Sequence, residues 1–268
     1  MIRKYNNIHK VKKMRFKHTV LMVFFLALSF INQAIAEDAS ASSLWQGQYF
    51  GVTGGFSTGT ADPTVNVKEA GYFTVSLDAA QVDPEASRDM ESTDLSTSLF
   101  WGLNRHSGNL LYGVEADLSF TDYNKNYESR DIVYDSAPTT TFSVMTNVKS
   151  NLAVSLRPRL GYTLNKSLFY ASYGPVYRKF DYNFRFTDTF QPQEINVNES
   201  EWKLGWAFTL GYEYKMFDTW SLKTEYFSAS YEDVVDTQST TLDFPDDGFT
   251  HKMDFEEQGI RVGLYKRF

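Results

Sequence analysis

Glu115 and Asp117 stand two residues apart, and Arg157 and Arg159 repeat that spacing further along the chain. In a β-strand, residues at i and i+2 share a face, so each pair points one way. Two carboxylates on one face are the tools of general acid–base catalysis. Two guanidinium groups on the neighbouring strand turn the same set into a structural ion network, which is the favoured reading. Glu213, Lys223, Glu225 and Arg261 fall on equivalent positions of later strands and extend the network to eight residues.

Other chemistry is sparse. Beyond the first 36 residues the histidines are His106 and His251, and there is no cysteine, so neither disulfides nor thiolate metal sites are available. Asp233, Asp236, Asp243, Asp246, Asp247 and Asp254 offer carboxylates that suit calcium, but without ordered ligand spacing they read as a solvated loop. Arg105-His106 and Lys266-Arg267 read as wet strand ends. No cofactor and no metal site is expected.

The network needs strands to hold it, and the pattern supplies them. Tyr112, Val114, Ala116, Leu118 and Phe120 alternate with Gly113, Glu115, Asp117 and Ser119; Leu152, Val154, Leu156, Leu160 and Tyr162 alternate with Asn151, Ser155, Arg157, Arg159 and Gly161. Eight such stretches are read: Tyr49 to Phe56, Leu95 to Leu103, Tyr112 to Phe120, Leu152 to Tyr162, Leu168 to Phe180, Leu204 to Tyr214, Ser221 to Phe227 and the end of the chain. On the fifth, Phe169, Ala171, Tyr173 and Tyr177 are placed outward. Pro158 breaks the fourth, where it forfeits a ladder hydrogen bond or marks a bulge.

Long polar segments at 57–92, 121–149, 181–200 and 228–256 alternate with short turns at Arg105–Asn109, Asn165–Ser167 and Met216–Thr219. That rhythm, with an even strand count, belongs to transmembrane barrels with short periplasmic turns and long outer loops. A soluble barrel of the lipocalin kind would alternate too, but its inside would be apolar. Here one set of faces is ionised and the other is Leu, Val, Phe, Trp and Tyr, so the oily side faces out. Trp101, Tyr112, Tyr162, Trp202, Tyr214 and Trp220 sit near strand ends, as interfacial girdles do.

The first 36 residues read as a signal peptide: seven basic residues from Arg3 to Lys17, an apolar run from Thr19 to Ile31, and Ala34-Ile35-Ala36 before cleavage. The apolar run is shorter than the ~20 residues of a membrane helix. Met14 is an alternative start. Removing this segment leaves 19 basic against 33 acidic residues, a net charge of −14, which argues against nucleic acid. Residues 37–44 form a short segment before a barrel domain at 45–268. A mean hydropathy of −0.38 excludes a helical membrane protein but not a barrel, whose strands average out.

The last strand carries the resemblance. Ile260, Val262, Leu264 and Phe268 share one face, and Glu257, Gly259, Arg261, Gly263 and Tyr265 share the other. A final Phe after alternating apolar residues resembles the terminal strand of bacterial outer-membrane barrels, which the assembly machinery reads. Lys266 stands where an aromatic is usual. With Gly102-Leu103-Asn104, Tyr112-Gly113-Val114-Glu115-Ala116-Asp117, Arg157-Pro158-Arg159-Leu160-Gly161-Tyr162, Gly205-Trp206, Gly211-Tyr212-Glu213-Tyr214, Trp220 to Tyr226 and Arg261-Val262-Gly263-Leu264, the chain resembles the OmpA-like and opacity-type porin-family group.

That resemblance implies an all-β, eight-stranded, antiparallel up-and-down transmembrane barrel in the Gram-negative outer membrane. The implied partners are lipid and lipopolysaccharide, the barrel-assembly machinery with periplasmic chaperones, and host or phage factors at the loops of a surface antigen. The favoured function is a non-enzymatic surface scaffold of the adhesion type. A narrow gated ion channel is the alternative, and a lipid A or peptide hydrolase a more distant one. The wall-anchoring role of longer relatives is not implied.

Overall fold

The structure, a computed structural model, describes residues 45–68, 73, 75–190, 193–240 and 248–268. The signal peptide, residues 37–44, and Asp243, Asp246 and Asp247 lie outside the described residues.

The strands are β1 (Gly47–Val67), β2 (Met90–Ser107), β3 (Leu110–Glu128), β4 (Ile132–Val133), β5 (Thr141–Leu164), β6 (Ser167–Asp188), β7 (Gln193–Lys215), β8 (Trp220–Thr240) and β9 (Gly248–Arg267). They run β3-β2-β1-β9-β8-β7-β6-β5-β4, and a further β3–β5 pairing closes the ring. Because β4 is a two-residue strand that pairs only with Thr141 and Phe142 at the start of β5, the wall itself is the expected eight-stranded antiparallel barrel.

Two expectations need correction. The turn after β2 is tighter than expected: β2 continues to Ser107 and β3 begins at Leu110, leaving Gly108 with φ 59 and Asn109 between them. The long polar segments are largely strand. The eight wall strands run 18 to 24 residues, about twice the ~9–11 that cross a bilayer. What remains as connection at that end is 68–89, 129–140, 189–192 and 241–247. The first of these carries helix α1 (Ser76–Ala86).

The reason is an exchange of chemistry between the faces. On the lower part of β1, Phe50, Val52 and Phe56 point out while Tyr49 and Thr53 are buried; further up, Ala61, Val65 and Val67 are buried and Asp62, Thr64 and Asn66 line the outside. β9 does the same, with Ile260, Val262 and Leu264 outside below and Phe249, His251, Met253 and Phe255 buried above. Hydrocarbon around the lower half selects oily exteriors; water around the upper half selects an oily interior.

Irregularities gather at the level where the faces exchange. Register shifts fall between Phe120 and Tyr123, between Lys149 and Ala153, and between Tyr231 and Val235. The β5 shift changes which residues face inward, from Val144, Thr146 and Val148 to Ala153, Ser155 and Arg157. An extra residue in one strand does this by reversing its alternation. Asn151, expected inside, is therefore exposed.

Pro158 points outward and keeps its register with Val114 on β3. The β5–β6 ladder is instead interrupted, between Ser155↔Val176 and Arg159↔Ser172, a gap that also contains Pro175. Both missing N–H groups therefore fall on one seam.

The upper interior is an aromatic core. Phe73 meets Phe186 and Phe249 edge-on at 5.8 Å, Phe180 meets Phe255 at 5.1 Å, and α1 lays Ala79, Val82 and Ala86 over the top. Val67 N–H donates to Asp83 Oδ1 at 2.7 Å, fastening α1 to the end of β1. Inside this core His251 bonds Tyr182 Oη at 3.1 Å and Ser239 Oγ at 2.9 Å. Phe184 and Phe249 pack its ring, and no charged partner is present among the described residues.

Two expectations follow. In SDS without boiling, the protein should migrate differently from the boiled sample, because the closed ladder persists; identical migration would contradict closure. Burial holds His251 down to about 4, below the ~6.5 of the unfolded chain, so the unfolded state binds the extra proton between those values. Stability is then complete above about pH 6.5 and falls by about 3 kcal/mol as pH drops through 4. His251→Gln should flatten that slope in thermal unfolding, and an unchanged slope would assign it to other groups.

Candidate functional site

The lower lumen brings together all eight residues expected there. β3 carries Glu115 and Asp117, β5 Arg157 and Arg159, β7 Glu213, β8 Lys223 and Glu225, and β9 Arg261, each at most 4% exposed. Alternation points all of them inward, and the register sets Glu115 opposite Arg157, Glu213 opposite Lys223 and Glu225 opposite Arg261. Four carboxylates and four cations make the set neutral.

Glu115 is the hub. Its Oε1 accepts from Lys223 Nζ at 2.8 Å and Arg157 Nη2 at 3.3 Å, and its Oε2 from Tyr49 Oη at 2.8 Å and Arg159 Nη1 at 3.0 Å. A carboxylate has about four acceptor positions, so none is left over. Arg159 turns its other Nη to Glu213 Oε1 at 2.8 Å, and Tyr265 Oη donates to Glu213 Oε2 at 2.6 Å.

Lys223 also reaches Glu225 Oε2 at 3.0 Å, which accepts from Tyr170 Oη at 2.9 Å. Arg261 Nη2 lies 2.8 Å from Glu225 Oε1, as an ion pair off the hydrogen-bonding direction. Asp117 is held by Ser119 Oγ, with Arg157 and Arg261 at 3.9 and 3.8 Å. Aromatic faces complete the cage: the Arg159 guanidinium lies 3.9 Å from the Tyr170 ring centre, Lys223 Nζ 4.0 Å from Phe100, and the Arg261 guanidinium 4.1 Å from Phe227. Cation–π contact replaces part of the lost hydration.

Sequence reasoning missed two parts. Tyr49, Tyr170 and Tyr265 are members of the network, although as aromatics they read as packing; their placement at inward parity was the available signal. One storey higher, Arg178 pairs with Glu257, whose Oε1 accepts from Ser57 Oγ at 2.8 Å and Thr121 Oγ1 at 3.3 Å. Arg178 sits among Tyr170, Tyr173 and Tyr177, which obscured the alternation of β6.

The remaining candidates scatter. His106 lies at the end of β2, half-buried, far along the chain from His251 in the upper core. Asp254 Oδ1 accepts from the Asp233 N–H at 2.9 Å, a cross-strand contact at the β8 irregularity with no third ligand among the described residues. Arg105 and Lys266 are exposed as expected, but Arg267 is not: it is 6% exposed, with its guanidinium 5.0 Å from the Trp45 ring centre. The terminal apolar face is where the pattern put it, with Ile260, Val262, Leu264 and Phe268 61%, 49%, 44% and 78% exposed. Exposed aromatics gather on the outer face, where Tyr173 stacks on Trp206 and Tyr177 on Trp202, both at 5.4 Å.

The family model described as outer membrane protein beta-barrel domain matches residues 24–268. No curated protein matches the chain. Among solved structures, Ail, the attachment invasion locus protein of Yersinia pestis, in complex with the heparin analogue sucrose octasulfate, is 12% identical, with 82% of this chain and 99% of that one covered and a TM-score of 0.34. Neisserial surface protein A is 10% identical, covering 83% and 100%, at 0.32. The outer membrane protease OmpT from Escherichia coli is 6% identical, covering 87% and 99%, at 0.45. These likenesses carry no argument about activity.

A buried ion network fails hardest when one partner is removed. Arg159→Met strands Glu213, takes one of the four donors from Glu115, and should cost about 3–5 kcal/mol, measured by urea unfolding from lipid vesicles. Arg159→Met with Glu213→Gln restores neutrality and should lose less; equal losses would show that the charges do not act as a set.

Proposed function

Because the chain belongs to the outer membrane protein beta-barrel domain family, we propose that this outer-membrane barrel works as a surface scaffold, non-enzymatic, whose rim engages host or phage factors. The observation that carries this reading is that the lumen is filled along its height. Trp45 lies at the short-turn end, the neutral ion network above it, the Arg178–Glu257 pair next, and the aromatic core and α1 at the top. A filled barrel leaves its exterior and rim to do the work. Loops held at rigid roots are suited to recognition.

The upper half has a role in this reading. Its strands rise beyond the apolar belt by about ten residues, roughly 30 Å of strand length, and the aromatic core stiffens that extension. The polar exterior and the four connections are thereby held away from the bilayer. In biogenesis, the first 36 residues serve as the cleaved signal peptide. The exposed face Ile260, Val262, Leu264 and Phe268 is the signal read by the barrel-assembly machinery after delivery by periplasmic chaperones, and lipid and lipopolysaccharide contact the apolar belt.

The channel reading would require Glu115 to release four donors in a low-dielectric interior, and the hydrolase reading cannot use His251 as its base, since that ring is 0% exposed. In a planar bilayer the purified protein should give no steady conductance. Size-selective steps abolished by Arg157→Ala would replace the scaffold with a pore, and hydrolysis of lipid A or of peptides would restore the enzyme. Protease treatment of intact cells should cut at the rim connections and abolish adherence while the barrel persists.

A further inference from the structure

The short-turn mouth of the lumen holds polar groups that the ion network does not use. Trp45 is fully buried against Tyr49, Phe100, Leu111, Leu168, Tyr170 and Tyr265, yet its Nε1–H has no hydrogen-bond partner. Arg267 stacks over that ring, and neither of its Nη groups has a partner. Asn104, 1% exposed, leaves both atoms of its side-chain amide unpaired.

The register brings these groups to one place. Arg267 pairs with Tyr49 on β1, and Asn104 pairs with Gly47 on the same strand. Both side chains face the lumen, and Gly47 puts no side chain between them. Lys215 from β7, half-buried, is close enough to feel the charges of Arg267, Asp218 and Lys166. The nearest lumen carboxylate, Glu213, already receives Arg159 on one oxygen and Tyr265 on the other. Among the described residues no ion pair involves Arg267 or Lys215.

A desolvated guanidinium whose two Nη groups have no partner is an unfavourable arrangement, and its planar fork matches the two oxygens of a carboxylate or the edge of a phosphate. We propose that this mouth is an oxyanion-binding site, in which the Arg267 fork, the Trp45 indole N–H and the Asn104 amide hold a carboxylate or phosphate entering from the periplasmic side. Lys215 supplies a second positive charge at the entrance. The ligand completes the neutrality that the network above achieves with its own residues.

The five tryptophans make this testable. Trp101, Trp202, Trp206 and Trp220 are 37–49% exposed on the outer surface, so Trp45 is the indole that faces the lumen. In an indole 15N–1H spectrum of the micelle-bound full-length mature protein, the Trp45 resonance is assigned by its loss in Trp45→Phe. It should move saturably with sodium acetate or inorganic phosphate and stay still in sodium chloride of matched ionic strength. The anion that saturates at lower concentration assigns the class. Arg267→Gln should abolish the movement, and Arg267→Lys, which keeps the charge but not the fork, should weaken it. No movement in the unaltered protein, or equal movement in chloride, would overturn the site whether or not the variants fold.

Discussion

Every part of this molecule answers to which solvent touches the outside of a closed sheet. A barrel has two faces and no edge, and strand alternation assigns each residue to one of them. Around the lower half the outside is hydrocarbon, so polar groups turn inward and must satisfy one another. Around the upper half the outside is water, and the assignment reverses. One wall of continuous strands therefore encloses two interiors of opposite character, an ionic one below and an aromatic one above.

The lower interior is fixed by the saturation of Glu115. With four donors on two oxygens, displacement of any one neighbour opens an acceptor position in a medium where unpaired polar groups are costly. The tyrosines matter for the same reason: Tyr49, Tyr170 and Tyr265 supply hydroxyl donors without adding charge, which keeps the sum at zero while filling remaining acceptor sites. The pairing is redundant and spread over five strands, so it resists the concerted shift that a conducting path would need.

The lower half was legible because its alternation is plain and its charges are concentrated: the eight network residues and the terminal face Ile260 to Phe268 are where the pattern placed them. The upper half was misread as loop, although Tyr182, Phe184 and Phe186 alternate with Asn183, Arg185 and Thr187 as cleanly as any lower strand. The alternation there is in opposite phase, apolar inward, and set among acidic residues it resembles a solvated segment. On β5 the phase of the sequence does not change at all; an inserted residue near Lys149 reverses the facing instead, which no count of alternating residues could reveal. Burial of Arg267 was hidden for a different reason, since it depends on Trp45, which lies outside the strand pattern.

The two prolines on the seam between β5 and β6 give the cylinder unequal stiffness around its circumference. Below the level of Trp206 every other boundary between wall strands is stitched, so lateral pressure from the bilayer flattens the cross-section about this line first. The wall bends as a ring with one soft hinge, and Arg157, whose backbone lies within that gap, is the network residue that feels the bending.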